Sequence, residues 1–160
     1  MIGLYADRII RTDLPLLAPV CRAPRPNVIP YVDGGLPCLM EALSTAHMAV
    51  AIRTDNKLLV KLAWELRPDI LILVEGARVR AGRIRPLLRP GDGGRGYYIV
   101  EERGELNRLR EEEVEGLFLR AESFPWAEYI SSGALKCPGC DRCSPLRLLS
   151  CEPYKELEVL

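Results

Sequence analysis

The stretch that decides the predicted fold is residues 27–76, NVIPYVDGGLPCLMEALSTAHMAVAIRTDNKLLVKLAWELRPDILILVEG. It contains three apolar runs in alternation with two segments of helical periodicity: 27–32, 36–46, 48–53, 56–67 and 69–74. The apolar runs are continuous instead of alternating with polar residues, which is typical of parallel strands buried on both faces. The stretch therefore predicts an α/β fold, a three-layer, mostly parallel sheet with helices on both faces.

The flanking segments are predicted to complete one domain. A short apolar strand at 2–5 precedes the central stretch. After the central stretch we expect four further segments: a hairpin at 78–88 turning at Gly82, a flexible glycine-rich loop at 91–96, a strand at 97–101 and a helix at 106–120. Residues 1–132 are predicted to form the α/β domain, with 133–160 as an irregular Cys-rich C-terminal segment packed on it.

The composition is that of a globular chain with no net charge. Apolar residues make up 48% of the 160 and charged residues 28%, and 22 basic side chains balance 22 acidic ones. Neutrality argues against the strong electrostatic footprint of nucleic-acid-binding proteins, although it leaves room for a local basic patch. No apolar run is long enough to span a membrane, and the first residues, MIGLYADRII, do not resemble a signal peptide. We therefore expect a cytoplasmic protein without a membrane partner.

The amino-acid composition also bears on the growth temperature of the source organism. Gln is absent, Asn occurs only three times, and Arg outnumbers Lys by 18 to 4. Depletion of thermolabile amides is typical of a thermophile, while the Arg excess also fits a GC-rich genome. This bears on the cysteines, because intracellular proteins of hyperthermophiles can carry disulfides.

Residues 136–151, KCPGCDRCSPLRLLSC, have a C-x2-C-x2-C-x7-C spacing. The two-residue intervals let successive thiolates converge, and the four sulfurs match the ligand count of an iron–sulfur cluster or of a Zn site. The predicted metal ligands are Cys137, Cys140, Cys143 and Cys151. The alternative is a set of disulfides, in which Cys21 and Cys38 form another pair. For Cys38 alone, a small buried hydrophobic residue is the favoured interpretation.

The metal prediction is tested on freshly prepared protein. Anaerobically purified chain is expected to contain bound iron or zinc by elemental analysis, and an iron–sulfur cluster would also absorb visible light through charge transfer. A colourless, metal-free sample without titratable thiols would instead favour disulfides over both metals.

Three carboxylates follow predicted strands, namely Asp33, Asp55 and Glu75. In open parallel sheets ligands bind at the carboxyl ends of the strands, and hard oxygen ligands suit a divalent cation. The alternative is a capping role, because Asp55 or Thr54 is well placed to cap the helix that follows. His47 begins its strand at the opposite end, so a structural role is predicted for it.

The order of these features resembles the hydrogenase maturation endopeptidases, which trim the C-terminus of a [NiFe] hydrogenase large subunit. The resemblance covers about the first 80 residues. It rests on the second strand ending in Asp-Gly-Gly, here Asp33 to Gly35, and on residues 6–13 after the first strand. The resemblance implies an α/β fold with Asp13 and Asp33 as metal ligands. The family's His ligand has no counterpart before the second helix, where Asn56 or Lys57 stands.

Three functions stay open at this level. The first is a metal-dependent peptidase or hydrolase with a precursor protein as partner, or an inactive relative. The resemblance implies Asp13 and Asp33 as its catalytic residues, and the position at a strand end adds Glu75. The second is a non-enzymatic iron–sulfur or zinc protein that serves as an assembly or interaction module. In that case Phe124, Trp126 and Tyr129 would form a docking surface or, alternatively, a small satellite core. The third is nucleic-acid association through arginines on one face of the hairpin: Arg78, Arg80, Arg83, Arg85 and Arg89.

Overall fold

A computed structural model describes residues 1–125 together with 127 and 128. Its centre is a closed barrel of eight strands that follow one another around the barrel in chain order. Each strand pairs in parallel with its neighbours, and β1 pairs in parallel with β8 to close the sheet. Closure leaves no strand edge unpaired, so the barrel needs no further strand to protect it.

The strands are β1 Ile2–Tyr5, β2 Leu16–Ala18, β3 Val28–Val32, β4 Ala49–Arg53, β5 Leu71–Glu75, β6 Ile84–Leu88, β7 Gly96–Val100 and β8 Val114–Arg120. The helices are α1 Leu36–Thr45, α2 Lys57–Leu66 and two short 3-10 helices, Arg103–Arg108 and Glu111–Glu113. The predicted helices at 36–46 and 56–67 are confirmed, as are the strands at 2–5, 27–32, 48–53, 69–74 and 97–101.

The predicted three-layer sheet with helices on both faces is wrong, because the sheet is a closed barrel. One face of the sheet is turned inward and filled by side chains, so helices can cover only the outer face. Helices α1 and α2 pack there, in an outer cluster with β3, β4 and β5. Continuous apolar strands fit both arrangements, since both bury the two faces of every strand.

Two flanking predictions fail for the same reason. The predicted helix at 106–120 is wrong, because Val114–Arg120 is the closing strand β8, paired with both β7 and β1. The predicted hairpin at 78–88 keeps its turn, with Gly82 at a positive φ of 54° and an antiparallel bridge from Ala81 to Ile84. However, β6 pairs in parallel with β5. Long-range pairing outweighs local propensity in both segments.

The barrel interior is a single apolar cluster to which all eight strands contribute. Its buried members are Tyr5, Leu17, Ile29, Tyr31, Ala49, Ala51, Leu73, Leu87, Ile99 and Phe118. Where two members come from one strand they lie two residues apart, which is the period of side chains on one face of a strand. The interior is therefore packed like a core and is not a pore.

The outer surface adds a covalent link and a second apolar cluster. Cys21, in the loop after β2, forms a disulfide with Cys38 in the first turn of α1. The prediction of Cys38 as a plain buried hydrophobic residue is therefore wrong, and the pairing of Cys21 with Cys38 is confirmed. Phe124 is 1% exposed within the outer cluster over β1, β7 and β8, which confirms the core interpretation for this residue.

Within the described part of the chain, no helix is long and apolar enough to cross a membrane.

Candidate ligand site at the carboxyl mouth of the barrel

All eight carboxyl ends lie at one end of the barrel, because every strand runs in the same direction. Side chains on one face of a strand are two residues apart, so counting on by two from an interior residue gives the side chain that faces inward at the carboxyl end. On β4, Ala49 and Ala51 are interior, so Arg53 is the next position of the same face. The same count places Glu75 after Leu73 on β5. The carboxyl mouth is therefore lined by inward positions at or next to the strand ends.

These positions form a set that we call the mouth ring. Every strand except β2 contributes one member, and these are, in chain order, Tyr5, Tyr31, Arg53, Glu75, Arg89, Glu101 and Arg120. From β4 to β8 the ring alternates strictly between arginine and glutamate. In an eight-stranded parallel barrel, alternate strands contribute to alternate layers, so the arginines and the glutamates belong to neighbouring layers.

Neighbouring charges in the mouth ring attract each other at some distance. Arg53 Nε lies 3.7 Å from Glu75 Oε2, and Arg89 Nη1 lies 3.6 Å from Glu101 Oε1. Arg120 Nη2 lies 3.6 Å from the same oxygen of Glu101. Charge-assisted hydrogen bonds between such groups are typically about 2.7–2.9 Å long. Arg120 Nη1 also lies 3.3 Å from Asp7 Oδ2 and 3.9 Å from Glu122 Oε2, two carboxylates outside the ring. Arg53 and Arg89 are thus balanced by carboxylates without being saturated by them.

The two tyrosines hold the arginines in place. The guanidinium carbon of Arg53 lies 5.2 Å from the centre of the Tyr31 ring, and Arg53 donates hydrogen bonds to Tyr31 Oη at 3.0 and 3.3 Å. Arg120 and Arg89 lie 5.1 and 5.9 Å from the centre of the Tyr5 ring. Cation–π contacts of this length restrict the guanidinium positions, so three cationic groups are preoriented around the mouth.

A cavity of about 390 Å³ opens beside this ring. Its walls include Tyr5, Tyr31 and Arg53 from the ring, Asp33 after β3, and the Cys21–Cys38 disulfide. The volume lies in the range of small-molecule sites in proteins, and its mixture of apolar wall and a few convergent polar groups is typical of them.

Glu75 is the perturbed acid of the mouth. Its side chain is 23% exposed, and Oε2 accepts no hydrogen bond from any residue that the structure describes. Burial raises the pKa of Glu75 above its ordinary value, against the opposing attraction of Arg89. A carboxyl group with a raised pKa keeps its proton to higher pH than an ordinary glutamate, which suits a role as a general acid or base.

The structure brings together only part of the predicted catalytic set. Asp33 lines the cavity, where its Oδ1 accepts a hydrogen bond from the Gly35 N–H at 3.3 Å, and Glu75 belongs to the mouth ring. Asp13 instead lies in the loop that leads into β2 at Leu16, at the amino end of the barrel. Asp13 and Asp33 are therefore separated by the length of the strands, and a metal site that needs both is not assembled.

The divalent cation predicted at the strand ends gains no support from this geometry. Arg53, on β4, stands between the strands that carry Asp33 and Glu75. Across residues 1–125, 127 and 128, no three His, Cys, Asp or Glu side chains are grouped so that they could hold a metal ion. Asp55 is exposed and does not cap α2, because the cap is the Asn56 side chain, which accepts from the Leu58 N–H at 3.0 Å. His47 is exposed before β4, at the amino end as predicted.

The five arginines predicted to share one face of a hairpin are dispersed. Arg85 pairs with Glu115 at the amino end of the barrel, at 3.3 Å, and Arg89 belongs to the mouth ring. Arg78 and Arg80 lie beside α2. The prediction of one common face is wrong, because β6 runs parallel to β5 through the length of the barrel and carries its arginines to both ends.

Several of the predicted positions lie outside the described residues. These are the four predicted metal ligands Cys137, Cys140, Cys143 and Cys151, the boundary between 1–132 and 133–160, and the aromatic residues Trp126 and Tyr129. The metal or iron–sulfur assignment of the four cysteines therefore stays a prediction from their spacing.

Sequence reasoning missed most of the mouth ring. The missed members each end a strand or lie next to its end, and they include Tyr5, Tyr31, Arg53 and Arg120. An arginine at such a position is ordinarily a solvated side chain. The available signal was the step of two from an interior residue to the strand end, as from Phe118 to Arg120. That signal becomes informative only once the sheet is known to close.

Fold and site together define a class: a closed parallel barrel with strands in chain order, the arrangement of (β/α)8 barrels, with its candidate site at the carboxyl mouth. Among the strand connections described, those between β3 and β4 and between β4 and β5 contain α-helices. No family model, curated protein or solved structure matches the chain.

Proposed function

We propose that the chain binds a small anionic molecule, a carboxylate or a phosphate ester, at the carboxyl mouth of the barrel, and that Glu75 exchanges a proton with it. The observation that carries the proposal is the convergence of Arg53, Arg89 and Arg120 from three strands, each held by a tyrosine ring. Guanidinium groups suit such ligands because their planar N–H donors match carboxylate and phosphate oxygens. In barrels of this arrangement, ligand sites lie at this end.

The charge balance of the mouth ring favours an anion when Glu75 is protonated. Among the ring members, three guanidinium groups face the two carboxylates of Glu75 and Glu101, and Asp7 and Glu122 outside the ring pair with Arg120. When Glu75 is protonated, Arg53 loses its carboxylate partner at 3.7 Å and becomes available to a ligand. A bound anion would in turn raise the pKa of Glu75 further, because a like charge nearby disfavours ionisation. Ligand binding and protonation of Glu75 are therefore expected to support each other.

The direction of the pH dependence follows from this coupling. Burial raises the pKa of Glu75 in the folded protein. Below this raised pKa the carboxyl is neutral and the site is most cationic, so anion affinity is highest there. As the pH rises through the raised pKa, Glu75 ionises and repels the ligand, so affinity falls. The contribution of Glu75 to the free energy of unfolding falls as the pH rises from the ordinary pKa of a glutamate to this raised pKa. In that range the folded protein still holds the proton, whereas the unfolded chain has released it.

The proposal is tested with inorganic sulfate, which stays fully ionised throughout this pH range. Calorimetric titration of the wild-type chain is expected to show affinity that declines as the pH rises. Glu75→Gln is expected to bind as tightly at neutral pH as the wild type does in acid, and to lose the pH dependence. Arg89→Gln is expected to weaken binding by about tenfold or more, since a hydrogen bond to a charged group contributes about 1.5–3 kcal/mol.

A matched control is Arg108→Gln, which removes one exposed arginine from a 3-10 helix outside the mouth ring. It is expected to leave sulfate affinity unchanged. Circular dichroism establishes that each variant is folded. Equal sulfate affinity in wild type, Arg89→Gln and Arg108→Gln would contradict an anion site at the mouth, and a pH profile unchanged in Glu75→Gln would contradict the role of Glu75.

A further inference from the structure

A second concave surface lies on the outside of the barrel, along helix α2, and we call it the α2 groove. It has a volume of about 410 Å³ and is lined by Lys57, Val60, Lys61, Trp64, Arg78, Val79, Arg80 and Ile84. On α2, Lys57, Lys61 and Trp64 are spaced by four and three residues, so they share one face of the helix. The other wall is the segment between β5 and β6. None of its lining residues belongs to the mouth ring.

The α2 groove concentrates positive charge on a chain that is neutral overall. Lys61 has an exposed partner in Glu65 at 3.9 Å, and Arg80 pairs with the carboxylate of Glu115. Exposed pairs such as the first contribute little and exchange readily with other anions. Lys57 and Arg78 have no carboxylate within ion-pair distance among the described residues, and Arg78 donates instead to the backbone oxygen of Asp92. The surface therefore complements a polyanion.

The groove also presents an aromatic ring. Trp64 is 42% exposed, which is high for an indole. The turn at Gly82 passes close to the ring, since a Cβ added to Gly82 would lie 3.5 Å from Trp64 Cζ2. Contact with the turn positions the indole while much of its surface stays open to solvent. An exposed, positioned indole between cationic side chains is suited to stacking against a flat, uncharged ring that is flanked by negatively charged groups.

From this arrangement we infer that the α2 groove binds single-stranded nucleic acid. One base stacks on Trp64, and the flanking phosphates lie against Lys57, Lys61 and Arg78. Bases must be unpaired for such stacking, so a duplex does not fit the same contacts. Stacking on aromatic side chains combined with a basic surface is the general mode by which proteins bind single strands without reading sequence. The inference is independent of the proposed anion site at the carboxyl mouth.

The test measures fluorescence anisotropy of a labelled oligothymidylate of about ten nucleotides, within the usual range of site sizes. Trp64→Ala is expected to weaken binding by about tenfold or more, as expected for the loss of one stacked base. Lys57→Ala and Arg78→Ala are each expected to weaken binding and to reduce the slope of log affinity against log salt by about 0.7. Because these side chains are exposed, circular dichroism should show the fold retained.

Matched controls come from the same chain. Leu58→Ala removes a side chain that is 76% exposed on α2 but does not line the groove, and Arg108→Ala removes a cation elsewhere. Both are expected to bind as the wild type does. An abasic strand of equal length keeps the phosphates without the bases, and should bind about tenfold more weakly.

Three results would overturn the inference. Wild-type affinity in Trp64→Ala, or equal affinity for the abasic strand, would mean that charge alone attracts the oligonucleotide. Binding of duplex DNA as tightly as the single strand would exclude the stacked base. Competition by polyglutamate at the same charge concentration as the oligonucleotide would assign the α2 groove to an acidic protein segment instead.

Discussion

Replacement of Phe118 by alanine is expected to lower the free energy of unfolding by about 3–5 kcal/mol. Phe118 is fully buried in the barrel interior and is among the largest side chains there. Its ring lies against Tyr97, with 6.3 Å between ring centres, and fills the space beside Gly3 on β1. Removing it leaves a cavity among strands that cannot move inward, because each is hydrogen-bonded to two neighbours. The loss is read from urea denaturation followed by circular dichroism.

The control for this measurement is Leu58→Ala, an apolar truncation on α2 at a position that is 76% exposed. Its effect is expected to stay within about 0.5 kcal/mol. Phe118 lies in a segment that local pattern assigns to a helix on the surface of a sheet, so the comparison also tests the barrel. A loss for Phe118→Ala as small as that for Leu58→Ala would contradict the placement of β8 in a closed interior.

The second large effect concerns the Cys21–Cys38 disulfide. Its two cysteines are 17 residues apart, and a crosslink closing a loop of this length stabilises by about 3 kcal/mol in the chain-entropy model. The double variant Cys21→Ser/Cys38→Ser is therefore expected to unfold at a lower urea concentration by a corresponding amount. Because the disulfide is part of the wall of the mouth cavity, the sulfate affinity of the double variant should also fall.

The cysteines at 137–151 require a specific control, since a reductant acts on them as well. The wild type and the double variant are compared with and without reductant. Without reductant the wild type should be the more stable of the two, and with reductant the difference should disappear. Equal urea midpoints of the two proteins under oxidising conditions would show that the disulfide does not constrain the fold.

Local pattern was sufficient for the secondary structure of the central stretch. Helices α1 and α2 and strands β3, β4 and β5 all follow from apolar runs and helical periodicity, and a parallel sheet follows from the continuity of those runs. The arrangement of the sheet did not follow, because an open sheet covered on both faces and a closed barrel bury the strands equally. Closure depends on β1 meeting β8 across more than a hundred residues of chain.

The closing strand shows why local signals were insufficient. Its sequence, VEGLFLR at Val114–Arg120, follows an acidic run, and the local pattern predicts a helix there. In the structure, Gly116 lies against Tyr97, where an added Cβ would be only 2.5 Å from Tyr97 Cδ1. The role of this glycine depends on a neighbour on another strand. Such information is absent from any local window of sequence.

The candidate site divides in the same way. Asp33 and Glu75 were found by sequence, because carboxylates at the ends of apolar runs stand out. Arg53, Arg89 and Arg120 were not, because an arginine at a strand end has a solvated role by default. They become a site only when β4, β6 and β8 are bent around one axis, so that their ends converge on the same opening.

The sequence by itself therefore determined the central strands and helices, the parallel direction of the strands, and two acids at their carboxyl ends. These depend on side-chain periodicity and on which residues can be buried, and both are local. The tertiary structure alone decided the closure of the barrel, the opposite positions of Asp13 and Asp33, and the assembly of the mouth ring. These depend on which strands meet, and pairing between distant segments is a property of the whole chain.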